Sequence, residues 1–320
     1  MTTSTSRLIA EYHDLDETRF RTEVLGSYQP AILRGFVLHW PACALAVESP
    51  EAVCQYLLDC DSGHPVDALL AAPEHKGRLF YKADMKGFNF ARRQLPVSAV
   101  IGQLVRYSQF ADPPSVAVQS ALIDDCLPRF GRDNVAPFLD AAVRPRIWLG
   151  NTITTPAHFD ESNNIACVVA GRRRFTLFPP EQVGNLYIGP LDFAPTPTPI
   201  SMVDFSAPDF DRFPRFRQAL AAAQVADLGP GDAVYIPALW WHHVQSSGML
   251  NILVNYWWRG AQVESPMASL VSCMHALHGL EPEQRRAWAA MFAHYVFDPA
   301  TDPGGHLPEH ARGVLAKTRP

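Results

Sequence analysis

His158 and Asp160 stand two residues apart in Thr154-Thr155-Pro156-Ala157-His158-Phe159-Asp160-Glu161, and a histidine doublet, His242-His243, follows far downstream in Trp240-Trp241-His242-His243-Val244. Side chains two apart in a strand share a face, so the triplet offers an imidazole and a carboxylate about 6 to 7 Å apart along the backbone. A histidine from the doublet would add a third ligand. Two nitrogens and one carboxylate on one side of a metal leave the opposite positions open, the arrangement by which non-haem Fe(II) oxygenases hold a cosubstrate and oxygen. The competing reading is a chance triplet whose histidine is merely packed or solvated.

Arg173 is the second chemical signal. If residues 173–177 form a strand, Arg173, Phe175 and Leu177 share one face, with Arg172, Arg174 and Thr176 on the other. An arginine on an apolar inner face needs an anion, because a buried unpaired charge costs several kcal/mol or more. No carboxylate side chain nearby in sequence is an obvious partner. The alternative is a solvated arginine run on an edge strand.

The elements that must carry these residues are short and alternating. Strand candidates at 146–149, 165–169, 173–178, 233–236 and 250–256 are separated by Gly and Pro turns, as in an antiparallel barrel or jelly roll. The long connection 180–227 interrupts them and reads as a functional cover. Upstream, residues 8–60 carry helix-like patches and a short strand at Ala31-Ile32-Leu33, residues 97–110 repeat apolar side chains at helical spacing, and Val116-Ala117-Val118 reads as a strand. Downstream of 262 the pattern becomes helical. Ser265-Pro266 opens a helix with the stripe Met267, Leu270, Met274 and Leu277, and Glu281-Pro282-Glu283 opens a second with Trp288, Phe292 and Tyr295 on one face.

Composition bounds the answer without selecting it. A chain of 320 residues, 48% hydrophobic, can bury a large core. The net charge of −5 gives no electrostatic footprint for nucleic acid or an anionic membrane, so nucleic acid is disfavoured as a partner. The start lacks an apolar signal core and no run approaches a membrane span, so a cytoplasmic location and no membrane association are expected. The six cysteines are scattered without C-x-x-C pairs and read as reduced residues rather than as a zinc site or disulfide scaffold.

The stretch from Thr154 through Gly171-Arg172-Arg173-Arg174-Phe175-Thr176-Leu177-Phe178-Pro179-Pro180 resembles the cupin-like branch of the JmjC oxygenases, which includes the asparaginyl hydroxylase of hypoxia-inducible factor. Val203-Asp204-Phe205, Gly229-Pro230-Gly231-Asp232, Trp240 to His243 and Val254-Asn255-Tyr256-Trp257 carry the resemblance further, as do Gln29 to Gly35 and Trp40-Pro41 more weakly. It implies iron ligation by His158, Asp160 and His242, with His243 outside the ligand set, and 2-oxoglutarate as cosubstrate anchored by Arg173. It further implies cosubstrate or pocket roles for Thr155, Asn164, Asn255 and Trp257, a substrate contact for Gln119, and a helical dimerisation element. Two departures stand out. Arginine replaces the lysine of that hydroxylase at 173, and Ala117 stands where it carries a cosubstrate-binding tyrosine.

The expected fold is mainly β with flanking α: a double-stranded β-helix (cupin or jelly-roll) core over 115–260, an N-terminal α/β extension over 1–114 and C-terminal, dimerising helices over 261–320. The expected activity is that of an Fe(II)- and 2-oxoglutarate-dependent hydroxylase acting on a protein side chain or small molecule. A cupin metalloprotein that does not use 2-oxoglutarate and a catalytically silent binding module are the alternatives.

Overall fold

The computed structural model describes residues 8–259, 266–298, 300 and 302–316. Its strands are β1 (Ala10–Tyr12), β2 (Ala31–Leu33), β3 (Val66–Ala71), β4 (Phe90–Leu95), β5 (Ser115–Leu122), β6 (Pro145–Gly150), β7 (Thr154–His158), β8 (Asn163–Phe178), β9 (Gln224–Leu228), β10 (Ala233–Ile236) and β11 (Trp241–Trp258). They join in the order β1-β2-β10-β8-β11-β6-β5-β3-β4, with β7 on β11 and β9 on β8. The segments expected at 165–169 and 173–178 are thus one strand, and 250–256 is the second half of another.

Each of these two strands bends and serves two sheets. The first half of β8 pairs with the second half of β11 (Asn164↔Trp257, Val168↔Leu253), and its second half pairs with the start of β11 (Phe175↔Val244, Phe178↔Trp241). One sheet therefore holds β10, β8, β11 and β6, and the facing one holds β9, β8, β11 and β7. This is a double-stranded β-helix. The bend in β8 falls at Gly171, whose φ of +77° is a conformation that side-chain-bearing residues rarely adopt.

Both faces of the larger sheet are covered, so its strands read as continuous apolar runs rather than alternating ones. In β8, Ile165, Cys167 and Val169 join the core beneath the helices, whereas Ala166, Val168, Phe175 and Leu177 face the barrel interior. The covering helices include α1 (Pro41–Glu48), α2 (Pro50–Cys60) and α3 (Val97–Tyr107). Ser49 caps α2 by accepting from the Ala52 amide at 3.0 Å, Pro50 occupies its first turn, and Val53, Tyr56, Leu57 and Cys60 form its buried stripe. Val97, Val100, Ile101 and Leu104 do the same for α3. Each such side chain contributes about 1.5–3 kcal/mol by leaving water, which holds the sheet rigid behind the interior.

β3 pairs with β5, β2 pairs with β10, and the described residues up to 258 form one unit. Charge fixes the same junction: Arg34 meets Asp232 at 2.8 Å and Glu11 at 2.9 Å, while the Asp232 carboxylate also accepts from the Gly35 amide at 3.1 Å. The connection 180–227 is partly ordered by α4 (Phe216–Ala222) and by an Ile188↔Ser201 bridge. The second unit, 259–320, contains α5 (Pro266–Leu277) and α6 (Pro282–Phe292). The Ser265 cap and the boundary at 260 lie outside the described residues.

At Gly171 a Cβ would collide with the Leu250 carbonyl and the Asn251 side chain across the bend. Gly171→Ala combines that collision with a positive φ, so a loss of about 1–3 kcal/mol is expected, to be read as a lower urea midpoint at unchanged m-value.

Candidate metal centre and cavity

His158 ends β7, so of the His-x-Asp triplet only His158 lies in the strand; Asp160 sits in the irregular segment beyond it. β11 brings His242 opposite His158 in register. One donor atom from each of His158, Asp160 and His242 lies within 4.8 Å of the others, and His242 Nε2 is 3.6 Å from Asp160 Oδ2. The two imidazoles stand 4.3 Å apart between ring centroids.

Backbone carbonyls set the tautomers. His158 Nδ1 lies 2.9 Å from the Pro156 carbonyl and His242 Nδ1 3.0 Å from that of Trp240. A carbonyl only accepts, so each Nδ1 carries the proton and each Nε2 keeps its lone pair for a metal. Burial, and next the charge of His242, push the His158 imidazolium down to about 4, so the ring is neutral at neutral pH. Trp257 Nε1 donates to Asp160 Oδ2 at 3.0 Å and orients the carboxylate. Two imidazole nitrogens and one oriented carboxylate suit a divalent transition metal such as Fe(II).

His243 points the other way. Its ring stacks on Phe205 with centroids 4.3 Å apart, and burial, then Arg78, hold its imidazolium down to about 3. It lines a neighbouring groove of about 1720 Å³ that meets the cavity of the triad at Arg173, whereas His242 lines the triad cavity itself. Alternation along β11 divides the doublet between the two faces.

All nine residues singled out for the site line that cavity, of about 640 Å³: His158, Asp160, His242, Arg173, Thr155, Asn164, Asn255, Trp257 and Gln119. Arg173 takes the inward parity expected of it, between exposed Arg172 and Arg174. Burial pushes its guanidinium down to about 10, which leaves it charged at neutral pH, yet it has no carboxylate partner among the described residues and its Nε is buried without a hydrogen bond. A dicarboxylate such as 2-oxoglutarate would answer that unmet charge. The amides are interlocked: Trp148 Nε1 donates to Asn255 Oδ1 at 2.9 Å, and Asn255 Nδ2 donates to Asn164 Oδ1 at 3.3 Å. Gln119 Oε1 is buried without a donor. Ala117 is buried in β5 opposite Gly150 and does not line the cavity.

Sequence reasoning missed several walls of the cavity. Arg146 and Trp148 line it from β6, where alternation with Ile147 and Leu149 was the available signal. Asp67 and Arg92 come from β3 and β4, strands that went unrecognised, and Arg92 Nη2 donates to the Pro195 carbonyl at 3.4 Å. Ala194 to Pro197, within the long connection, form part of the wall, and Tyr81 Oη tethers that loop through the Phe193 carbonyl at 2.6 Å.

A double-stranded β-helix with a two-histidine, one-carboxylate cluster in its interior defines a cupin-type metalloprotein. Residues 17–263 match the cupin-like domain family, and the chain belongs to it. It is 26% identical over 249 residues to Jumonji C domain-containing protein 5 of Drosophila melanogaster, covering 75% of this chain and 57% of that protein. It is 26% identical over 262 residues to lysine-specific demethylase 8 of Xenopus tropicalis (78% and 52%) and 33% identical over 150 residues to human HSPB1-associated protein 1 (44% and 30%). The chain spans between about a third and somewhat over half of the length of these relatives. Enzymes of the JmjC type use Fe(II) and 2-oxoglutarate, and the donor set and the unpaired Arg173 fit both.

His242→Ala should abolish stoichiometric iron binding. His243→Ala should keep it while lowering stability by about 1–3 kcal/mol through loss of a buried, stacked ring. Iron analysis and urea unfolding of both variants check this, and greater metal loss in the second would reverse the assignment.

Proposed function

We propose that this protein is an Fe(II)- and 2-oxoglutarate-dependent oxygenase that hydroxylates a C–H bond of a small molecule or protein side chain. The observation that carries the reading is the coincidence, in one cavity, of the His158, Asp160 and His242 cluster with the partnerless Arg173. A cupin metalloprotein that does not use 2-oxoglutarate would have no need of that second charge. A silent binding module would need neither.

In this reading His158, Asp160 and His242 hold the metal, and Arg173 holds the distal carboxylate of the cosubstrate. Thr155 and Asn164 border it, the latter steered by Asn255, and Gln119 meets the substrate. Iron(II) with 2-oxoglutarate and dioxygen supplies oxidative decarboxylation of the cosubstrate coupled to oxidation of the substrate. The protein supplies orientation. Trp257 fixes the carboxylate of Asp160, the Pro156 and Trp240 carbonyls fix both imidazoles, and the Trp148 to Asn164 chain fixes the amides. The Ala194 to Pro197 loop, tethered through the Phe193 carbonyl, forms part of the cavity wall. Two relatives are named as lysine-specific demethylases; demethylation would be this same hydroxylation directed to an N-methyl group.

A cytoplasmic location belongs to the reading. All six cysteines are free, as a reducing compartment requires, and no helix among the described residues is long and apolar enough to cross a membrane. A homodimer belongs to it too. Neither α5 nor α6 has a buried residue, and Leu270, Met274, Trp288 and Met291 are exposed along them. Pairing with a second copy would cover this apolar surface.

Iron-loaded protein should convert 2-oxoglutarate slowly to succinate on exposure to oxygen, even without substrate. Arg173→Ala should keep iron but weaken 2-oxoglutarate binding by about 1.5–3 kcal/mol, roughly tenfold to more than a hundredfold. Calorimetry decides: no 2-oxoglutarate binding in the wild type would sink the oxygenase reading, and normal binding by the variant would sink only the anchor.

The full-length protein should sediment as a dimer at micromolar concentration, and Leu270→Glu combined with Trp288→Glu should give monomers. A monomeric wild type would refute the dimer.

A further inference from the structure

We propose that the cavity selects a substrate bearing an oxyanion, a carboxylate or phosphate monoester, and that Arg146 binds it. The proposal deepens the oxygenase reading and rests on it. β6 alternates Ile147 and Leu149, packed in the core beneath the helices, with Arg146 and Trp148, which line the reaction cavity. Arg146 is therefore a guanidinium on an interior face.

Its partners account for only one of its nitrogens. Nη1 donates to the Ser120 carbonyl at 2.7 Å and approaches Ser120 Oγ at 3.4 Å. Ser120 lies at an irregularity in the β5–β6 pairing, between Val118 and Ala121, with φ of +52°. Arg146 has no carboxylate partner among the described residues, and Nε and Nη2 make no hydrogen bond there. The other cavity cations are accounted for: Arg92 pairs with Asp67, and Arg173 is the cosubstrate anchor.

Summed charge makes the same point. The charged side chains lining the cavity are Asp67, Arg92, Arg146, Asp160 and Arg173, three positive and two negative, a balance of +1. Iron(II) and the 2-oxoglutarate dianion cancel one another, so the surplus persists in the loaded site and resides at Arg146. That residue is opposite Asn255 in register, two positions along β11 from Trp257, the donor to Asp160. Trp148, beside it, meets Trp257 edge to face at 6.2 Å. An oxyanion on the free edge of the guanidinium gains a charge-assisted, two-point pair. The Trp148 and Trp257 indoles lie alongside, Trp257 holding Asp160, and the Gln119 Oε1, without a donor among the described residues, accepts an N–H or O–H of the same molecule. A cationic substrate side chain meets repulsion instead.

The test uses full-length protein loaded with Mn(II) and saturating 2-oxoglutarate, whose binding is verified first by calorimetry; failure there removes the oxygenase reading itself. Hippurate, its uncharged amide, phenyl phosphate and benzylamine are then titrated, and paramagnetic relaxation of their protons by Mn(II) reports binding beside the metal. At least one anion should bind about tenfold or more tightly than the amide, and the stronger of the two identifies carboxylate or phosphate. Arg146→Gln should erase the preference, Arg146→Lys should retain part of it, and Arg146→Glu should turn it toward benzylamine. If Arg146 only clamps the Ser120 turn, its variants will change affinity for all probes equally. That result overturns the proposal, as does equal binding of anion and amide by the wild type, or no binding of either anion at tens of millimolar.

Discussion

The pairing of β8 with β11 runs from Trp241↔Phe178 to Trp258↔Asn163, with its bend at Gly171, and every functional residue is placed relative to it. One end of the ladder carries His242 toward His158, and the other carries Asn255 and Trp257 beside Asn164 and over Asp160. Arg173 lies just beyond the bend. Because side chains alternate strictly across a strand, a slip of one residue would turn His242 out and His243 in. Register here is a catalytic variable as much as a structural one.

That register is enforced from behind. The apolar residues of β8 and β11 that face away from the cavity are packed under the helices, where burial is worth a few kcal/mol per side chain and a slip would forfeit it along the whole strand. The interior is free to be polar in return. It holds an interlocked set of amides and indoles, two tautomer-fixed histidines and three arginines, only one of which is paired to a carboxylate inside the cavity. In the proposed reading a ligand supplies the counter-charge to the cavity guanidiniums of Arg146 and Arg173, which have no carboxylate partner among the described residues.

The family relationship explains the shared scaffold without extending to a substrate. The relatives match over only part of their own length and are longer than this chain, so their names describe proteins with much that lies outside the match. In the proposed reading, substrate choice would rest on the cavity walls: the Arg92 and Asp67 pair from β4 and β3, the tethered loop, and the Arg146 side of β6.

Local spacing was enough to single out the His-x-Asp triplet, the inward parity of Arg173, the helix at 97–107 and the strand at 233–236, because these depend on neighbours within one element. Resemblance, rather than spacing, pointed to His242 over its neighbour and to the amides and Gln119. Tertiary structure alone showed that 163–178 is a single bent strand, that β3 and β4 extend the sheet, that Asp160 lies beyond the end of its strand, and that Arg146 shares the cavity. That no acid among the described residues pairs with Arg173 belongs to the same class. Such facts depend on which residues approach across a ladder joining positions some eighty residues apart, and local periodicity does not encode that pairing.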